Sequence, residues 1–321
     1  MMNTHRKNAL IFLGAFVCCF LWGSAFPGIK IGYSLWGISG DDTWQIIRFA
    51  GIRFFLAGAL VIAFASLMRR RLLLPEKNEL GKIAFLSLFQ TIGQYILFYL
   101  GLAHTTGVNS AVVDSLTSFF AIIVASLFMK MERLTPRKIA GCVLGFAGVL
   151  LINLSAEGFS FRPLGDGMVA LSALCYGISS SLIKKYSANH DTVLFSGYQF
   201  MMGGVAMTIV GQAGTALSGE PSAAVTAPLG AAGILLYLAL VSSVAYTLWG
   251  ILLKTSDVSK ISIFGFMNPV IGVILSALLL GEAGELGLKH AGALLLICAG
   301  IIAVNLSPKK VFHKKTAKIT L

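Results

Sequence analysis

Long apolar stretches recur along this chain and decide what it can fold into. A helix needs about 20 consecutive apolar residues to cross a hydrocarbon core roughly 30 Å thick. Polar breaks separate ten such stretches, so the sequence predicts an all-α integral membrane protein with ten transmembrane helices. The stretches run approximately over residues 10–33, 44–68, 82–103, 107–129, 137–154, 167–186, 192–212, 228–250, 260–280 and 289–306.

The composition excludes a water-soluble fold. Of the 321 residues, 56% are hydrophobic and 12% are charged, whereas roughly 25% charged residues are usual in soluble domains. Arg6 and Lys7 precede an apolar stretch that is too long for the apolar region of a signal peptide, so we expect an uncleaved first helix. The short connections leave no room for a soluble domain.

The net charge of +12 would indicate nucleic acid as a partner in a soluble chain. Here it indicates orientation, because short cytoplasmic loops retain Lys and Arg. With the N-terminus inside, twenty of the 25 basic residues fall in inner segments. We therefore expect both termini in the cytoplasm, a multi-pass protein of the cytoplasmic (inner) membrane, contact with the lipid bilayer and no nucleic acid. The five remaining basic residues are Lys30, Arg48, Arg53, Arg162 and Lys289.

Motifs of catalysis and metal binding are missing from the sequence. The five cysteines lie inside the apolar stretches without metal-ligand spacing, so we interpret them as small hydrophobic residues and expect no metal or cofactor. No HExxH, GxSxG or Walker sequence occurs. The chain is predicted not to be an enzyme, although a membrane-embedded enzyme stays a less favoured alternative.

The sequence repeats itself after about 150 residues. Trp22, with a glycine and a lysine after it, recurs as Tyr176 at an offset of 154, and Tyr95 matches Tyr246 at an offset of 151. Glu132 and Glu282, offset by 150, each end an apolar stretch. These matches predict two homologous five-helix repeats, 1–156 and 157–321.

An odd number of helices in each repeat requires the second repeat to insert upside down relative to the first. Inverted repeats are a transporter architecture, in which the substrate binds near the midplane between the halves. The sequence therefore favours a secondary transporter that works by alternating access. A receptor or a channel fits this arrangement less well.

Several short motifs, in order and at family spacing, resemble a known repeat. They are Phe20 to Phe26 with Lys30, the pair Arg53–Phe54, Gly101 to Ala103, Asn268–Pro269–Val270 leading to Gly281–Glu282, and the glycine-rich final helices. Over nearly its whole length the chain is similar to two EamA repeats of the drug/metabolite transporter superfamily. The resemblance implies export or exchange of small metabolites, often amino acids, without ATP hydrolysis. Because the first half has Thr117–Ser118–Phe119 where the second has Asn268–Pro269, a helix break is expected only in the ninth helix.

Two charged residues lie deep inside predicted helices, where charge is costly and marks candidate functional sites. Arg53 and Asp114 are both expected roughly 10 to 14 Å below the outer surface, from the helix rise of 1.5 Å per residue. Their shared depth predicts a pair, either a structural salt bridge or a gating and proton-linked pair. Asp114 and His104 leave proton coupling open. The paired glycines Gly203 and Gly204 are a candidate hinge, with helix packing as the alternative.

Polar and aromatic residues of the predicted helices form a candidate substrate site, a mostly apolar cavity with a few hydrogen-bonding groups. Contacts that only join helices are the alternative for each of them. The predicted site residues are Trp22, Ser24, Arg53, Gln90, Gln94, Tyr95, Tyr99, Asp114, Tyr176, Ser180, Tyr198, Gln199, Tyr246, Trp249, Phe264 and Asn268.

The chemistry of this site favours a small-molecule substrate that is a zwitterion, such as an amino acid. Arg53 is the natural partner of a carboxylate, and the aromatic residues offer surface for an apolar group. A multidrug or cation efflux carrier is the alternative, for which Asp114 would be the acidic partner. The sequence leaves open the direction of transport and whether the protein is a monomer or a homodimer.

Overall fold

The structure is a computed structural model that describes residues 4–102, 104, 113–153, 162–219, 225, 227–279 and 288–305. The described residues contain helices and turns and no strand. The predicted repeat boundary at residues 156 and 157, and Glu282, lie outside the described residues.

Within its described residues, the first half of the chain folds into six helical segments. Two of them continue through π-helical turns, Leu88–Gly93 between α3 and α4 and Val124–Phe128 after α5. The segments are α1 (Thr4–Trp36), α2 (Thr43–Met68), α3 (Lys77–Ser87), α4 (Gln94–Leu102), α5 (Leu116–Ile123) and α6 (Pro136–Asn153).

The second half also folds into six helical segments within the described residues. A 3₁₀ turn, Ile263–Phe266, joins α10 to α11 and forms the break expected in the ninth helix. The segments are α7 (Pro163–Tyr186), α8 (Thr192–Ser218), α9 (Pro228–Thr255), α10 (Val258–Ser262), α11 (Met267–Leu279) and α12 (Leu288–Asn305).

Local sequence explains where several helices begin. Pro136, Pro163 and Pro228 are the first residues of α6, α7 and α9, where a missing N–H costs nothing. Asp191 caps α8 by accepting a hydrogen bond from the backbone N–H of Val193 at 2.9 Å.

Six helices are long and apolar enough to cross a membrane, and shorter apolar helices accompany them within the described residues. The chain is thus a multi-span helical protein. The six spans are Ala9–Trp36, Thr43–Met68, Lys77–Gly101, Pro163–Tyr186, Thr192–Ser218 and Pro228–Thr255, and the shorter helices include Leu116–Phe128, Val258–Gly272 and Ala291–Asn305.

Glycines bring α2 and α8 together backbone to backbone. A Cβ added to Gly211 would lie 2.5 Å from the backbone nitrogen of Arg48, and one added to Gly58 would lie 2.4 Å from the carbonyl oxygen of Gly197. Rising numbers on α2 match falling numbers on α8, so these two helices run antiparallel. Small residues are the usual means by which membrane helices approach so closely.

The last helices of the two halves are paired in the same way. A Cβ added to Gly141 would lie 2.7 Å from the carbonyl oxygen of Gly300, and one on Gly148 would lie 2.9 Å from that of Ala293. Hence α6 and α12 are antiparallel as well. The packing of α1 on α9 is likewise repeated by the packing of α4 on α7, so corresponding helices of the two halves make corresponding contacts in opposite directions.

The glycine pair Gly203–Gly204 serves packing. Helix α8 continues without a break through both residues. A Cβ on Gly203 would lie 2.6 Å from the Cβ of Thr91, and one on Gly204 would lie 2.4 Å from the backbone nitrogen of Phe55. Of the two interpretations of this pair, the close contacts support packing over a hinge.

Candidate functional site

Aromatic rings from five helices meet between the two halves. The hydroxyls of Tyr95 on α4 and Tyr246 on α9 are hydrogen-bonded to each other. The ring of Trp22 on α1 packs edge to face on Tyr246, at 5.0 Å between centroids, and on Trp249, at 4.9 Å. With Phe54 and Phe200, on α2 and α8, these four residues form what we name the central aromatic cluster.

The central aromatic cluster is built from matching pairs. Phe54 packs on Tyr95 at 4.5 Å between ring centroids, and Phe200 packs on Tyr246 at 5.0 Å. The two phenylalanines stack on each other at 5.2 Å with an angle of 14° between their planes. A contact within the first half is therefore repeated within the second, and the two copies meet face to face. Such a meeting is expected where a pseudo-two-fold axis relates inverted repeats.

Arg53 is a buried cation at the edge of this cluster. Its relative exposure is 5%, and its guanidinium carbon lies 4.5 Å from the ring centroid of Phe54. Tyr33, Tyr95 and Tyr246 lie close enough to interact with its charge. The guanidinium Nε is buried without a hydrogen-bond partner. The arrangement supplies positive charge and an unused donor in surroundings of low dielectric constant, where an anionic group is attracted strongly.

The predicted ion pair of Arg53 with Asp114 is wrong for this conformation. The ion pairs among the described residues do not include these two. The phenol of Tyr95 instead interacts electrostatically with both charges. A shared depth in the membrane fixes the height of two side chains, whereas their meeting also depends on which faces of α2 and of the segment before α5 point toward each other.

A π-helical turn presents polar groups to the second half beside the cluster. Thr91 in this turn donates a hydrogen bond to Oε1 of Gln199 at 2.7 Å, and Ser87 donates to the carbonyl oxygen of Gln199 at 2.7 Å. Gln199 is fully buried. Such turns inside α-helices are frequent at functional sites. Here the turn ties α3 and α4 to α8.

Buried polar atoms without a hydrogen-bond partner concentrate on the predicted site residues. Within the described part of the chain thirteen side-chain N or O atoms are of this kind, and seven belong to predicted site residues. An apolar environment makes such atoms costly, so their presence together fits the recognition of a polar molecule. The seven atoms are Nε1 of Trp22, Nε of Arg53, Oε1 of Gln90, Oε1 of Gln94, Nε2 of Gln199, Nε1 of Trp249 and Oδ1 of Asn268.

Other predicted site residues border the cluster. Tyr99 lies 6.2 Å from Tyr95 between ring centroids, and its phenol is close enough to interact with that of Tyr33. The phenol of Tyr176 is close enough to interact with the hydroxyl of Ser180. These contacts extend a surface of phenols and hydroxyls along α4 and α7.

Three predicted residues use their polar or aromatic groups elsewhere. Ser24 donates a hydrogen bond to the carbonyl oxygen of Leu21 and accepts one from a tyrosine of α9, both at 2.7 Å. The hydroxyl of Tyr198 donates to the carbonyl oxygen of Leu73 at 2.9 Å, and the ring of Phe264 packs 5.6 Å from that of Phe12. These contacts hold segments of the chain together, in agreement with the alternative of a packing role.

Sequence reasoning missed Phe54, Phe200 and Thr91 as parts of the site. Two of them could have been predicted from the repeat. Phe54 follows Arg53 and Phe200 follows Gln199, and both pairs of positions match between the halves at an offset of 146, so Gln199 is the counterpart of Arg53. The repeat thus carried a signal for the stacked pair. Thr91 carried none beyond its neighbours in the polar third stretch.

A second polar network joins the halves at the end of the bundle where α2 ends and α8 begins. Arg69 forms an ion pair with Asp191. Nδ1 of His190 lies 2.8 Å from Oε1 of Glu79, and its Nε2 lies 2.9 Å from Nζ of Lys82. The network therefore connects the start of α3 with the turn between α7 and α8.

The charge of Asp191 is stabilised in this network. Burial alone raises the pKa of its carboxyl, but the hydrogen bonds from Arg69 and from the backbone N–H groups of Val193 and Leu194 outweigh burial. The pKa of Asp191 consequently lies below its usual value. Asp191 thus acts both as a helix cap and as an anion paired across the halves.

Comparison with known proteins gives the same architecture. The model of the EamA-like transporter family matches residues 9–154 and 163–306, once for each half. An uncharacterized transporter of Archaeoglobus fulgidus is 28% identical over 87% of this chain and 90% of its own length. A probable terminal-alkyne amino-acid exporter of Streptantibioticus cattleyicolor is 24% identical over 88% of this chain and 89% of its own. The uncharacterized inner membrane transporter YedA of Escherichia coli K12 is 24% identical over 86% of this chain and 85% of its own.

The fold also has a counterpart among solved structures. One crystal structure superposes with a TM-score of 0.74 at 20% sequence identity, covering 93% of this chain and 97% of the other. With the apolar spans and the transporter relatives, this makes the chain a multi-pass inner membrane protein with a transporter fold.

Proposed function

Because the chain belongs to the EamA-like transporter family, we propose that it is a secondary carrier for a small zwitterion, such as an amino acid. It binds this substrate between its halves and moves it across the cytoplasmic membrane by alternating access, in export or exchange. In this proposal the chain performs no chemical conversion and needs no cofactor. One feature carries the proposal: the central aromatic cluster, in which matching pairs from the two halves meet beside the buried Arg53.

The topology belongs to the proposal as well. Ten helices cross the membrane with both termini in the cytoplasm, and the two repeats span residues 1–156 and 157–321. The antiparallel pairing of α2 with α8 and of α6 with α12 supports it, since corresponding helices of inverted repeats run in opposite directions. On this topology the network around Arg69 and Asp191 faces the cytoplasm.

The charge and shape of the site favour a zwitterion. Arg53 binds the carboxylate, and the rings of Trp22, Tyr246 and Trp249 contact the side chain of the substrate. The unpaired amide oxygens of Gln90 and Gln94 accept hydrogen bonds from its ammonium group. The name of the Streptantibioticus relative, an amino-acid exporter, points to the same class of substrate.

A cation carrier is the second candidate, and one observation favours it. Asp114 forms no ion pair with Arg53 in the described structure, so its carboxylate is free of the partner that would have masked it from a cationic substrate. The two candidates differ in the essential charge. A zwitterion carrier depends on Arg53, and a cation carrier on Asp114 alone.

Counterflow in proteoliposomes tests the proposal. Vesicles loaded with unlabelled amino acid are diluted into the same radiolabelled amino acid, with L-phenylalanine and L-threonine as an aromatic and a polar probe. Tetraphenylphosphonium serves as the cationic probe. A carrier accumulates label transiently, whereas a channel shows no such trans-stimulation and an enzyme alters the probe.

Two arginines of α2 supply a matched pair of variants. Arg53→Gln removes the buried charge, and we expect amino-acid counterflow to fall at least tenfold, since a hydrogen-bonded charge pair is worth about 1.5–3 kcal/mol. Arg48→Gln is the control. Arg48 donates a hydrogen bond of 3.0 Å to Gln212 and does not belong to the central aromatic cluster. Equal counterflow in Arg53→Gln and wild type would exclude Arg53 as the carboxylate partner. Tetraphenylphosphonium counterflow that is lost on replacement of Asp114 and unchanged in Arg53→Gln would establish the second candidate.

A further inference from the structure

The helix break in the second half is held from both ends by the first half. The short helix α10 runs from Val258 to Ser262 and leads through the 3₁₀ turn into α11. Oε1 of Glu132 accepts a hydrogen bond from the backbone N–H of Ser259 at 3.1 Å and another from the hydroxyl of Ser259. Ser118 donates a hydrogen bond to the carbonyl oxygen of Ser262 at 2.9 Å. Glu132 and Ser118 are therefore hydrogen-bonded to the two ends of α10.

The position of Glu132 matches what a helix start requires. The first N–H groups of a helix lack partners within the helix and favour negative charge. The Glu132 carboxylate supplies that charge from another part of the chain. Its side chain is 7% exposed, and its Oε2 lies 3.3 Å from Nζ of Lys138, which is 11% exposed. The buried carboxylate is thus neutralised on one side and bonded to α10 on the other.

Carbonyl groups in and beside the 3₁₀ turn also accept hydrogen bonds from side chains of the first half. Besides Ser118 on the carbonyl of Ser262, the thiol of Cys19 donates to the carbonyl oxygen of Phe264 at 3.2 Å. Broken helices at membrane depth persist only when such groups are satisfied. The break is consequently stabilised by hydrogen bonds from residues of α1 and α5.

This break determines where the following residues of the second half lie. Asn268, whose Oδ1 is buried without a partner, stands in the first turn of α11 directly after the 3₁₀ turn. Ile271 of α11 packs against Gly23, where a Cβ would lie 2.4 Å from its side chain. Gly23 adjoins Trp22 of the central aromatic cluster. A shift of α10 would accordingly be passed on to both Asn268 and Trp22.

We propose that Glu132 is a positioning residue for transport. This inference rests on the function proposed above. Glu132 fixes the start of α10 across the boundary between the halves, and through the 3₁₀ turn it sets the position of Asn268 in the substrate site. Lys138 balances its charge, and Ser118 holds the other end of α10.

Two double variants isolate the acceptor at position 132 from the charge. Both replace Lys138 by Met, so that neither leaves an unpaired buried charge. E132Q/K138M keeps a side-chain oxygen for Ser259, and E132L/K138M has none. Purified in detergent, each is followed by hydrogen–deuterium exchange of peptides covering residues 257–268, with peptides of α8 as internal reference. The exchange measurement needs no substrate. It therefore tests the contact between Glu132 and Ser259 even if the wild-type protein transports neither amino-acid probe.

The expected result is exchange about tenfold faster over residues 257–268 in E132L/K138M, the effect of losing a helix cap, with α8 unchanged. E132Q/K138M keeps protection close to that of wild type. In counterflow of L-phenylalanine, E132L/K138M shows a raised half-saturation concentration and E132Q/K138M does not. Equal protection of the two variants overturns the proposal, and so does faster exchange combined with unchanged half-saturation.

Ser118→Ala keeps the proposal testable should E132L/K138M fail to fold. It removes only the hydroxyl on the carbonyl of Ser262, and we expect faster exchange in the 3₁₀ turn together with a raised half-saturation concentration. Exchange and half-saturation both equal to those of wild type would overturn the proposal that α10 must be held at both ends to keep its place.

Discussion

Replacing Gly204 by Ala tests how closely α2 and α8 are packed. A Cβ at this position would lie 2.4 Å from the backbone nitrogen of Phe55, 2.7 Å from the carbonyl oxygen of Gly51 and 2.8 Å from the Cα of Phe55. All three atoms belong to the backbone, so no rotamer change relieves the clash. Normal contact requires about 3.4 Å, and the helices would therefore separate by roughly 1 Å, a strain in the range of about 1–3 kcal/mol for overpacked cores.

The matched control is Gly233→Ala. Gly233 lies inside α9, is exposed, and has nothing within 4 Å of an added Cβ. Both changes gain the same helix propensity, about 0.8–1.0 kcal/mol, which cancels when the two variants are compared. We expect Gly204→Ala to be less stable than Gly233→Ala by about 1–3 kcal/mol.

Unfolding by SDS in mixed micelles, followed by tryptophan fluorescence, measures this difference, because the chain holds four tryptophans and two of them belong to the central aromatic cluster. Amino-acid counterflow should fall with stability in Gly204→Ala, since the stacked Phe54–Phe200 pair lies on the same two helices. If Gly204→Ala proves as stable as Gly233→Ala, the backbones of α2 and α8 are not in contact and their close packing is refuted.

Two further predictions use the same unfolding assay. Tyr95→Phe or Tyr246→Phe alone leaves a buried hydroxyl unpaired and should cost about 1–3 kcal/mol, whereas the double variant should cost less than the sum; strict additivity would contradict the hydroxyl contact. Asp191→Asn should be less stable than wild type at pH 7, because a carboxyl whose pKa is lowered in the folded state contributes stability above its unfolded pKa. That difference should vanish as the pH falls through the folded pKa, and a difference independent of pH would exclude the ion pair with Arg69 as its source.

Much of the fold could be predicted because hydrophobicity is a local property. The second stretch, expected at 44–68, is the helix Thr43–Met68, since both its ends coincide with polar residues. The eighth, expected at 228–250, continues to Thr255, because a helix does not have to end where its apolar residues end. The π-helical turn Leu88–Gly93 could not be predicted from the sequence, because such turns depend on contacts with other helices.

The contacts of the candidate site likewise differ in whether the sequence could predict them. Tyr95 and Tyr246 could be matched by the repeat, and a symmetry axis that relates two residues also brings them together when they lie close to it. Their hydrogen bond follows from that relation. Arg53 and Asp114 were matched by depth alone, which contains no information on the direction of a side chain, and they form no ion pair. The grip of Glu132 on Ser259 joins residues 127 positions apart, beyond any local pattern.

Arg53, the one arginine buried among the described residues, bears on how such a chain could arise. A homodimer of one five-helix repeat would place every residue twice, once on each side of its axis. Two copies of Arg53 would then face the same small apolar region and repel each other without intervening anions. Joining the two repeats in one chain lets Gln199 stand where the second arginine would be. Duplication followed by divergence thus allows a lone positive charge beside an axis of symmetry, which two identical subunits cannot provide.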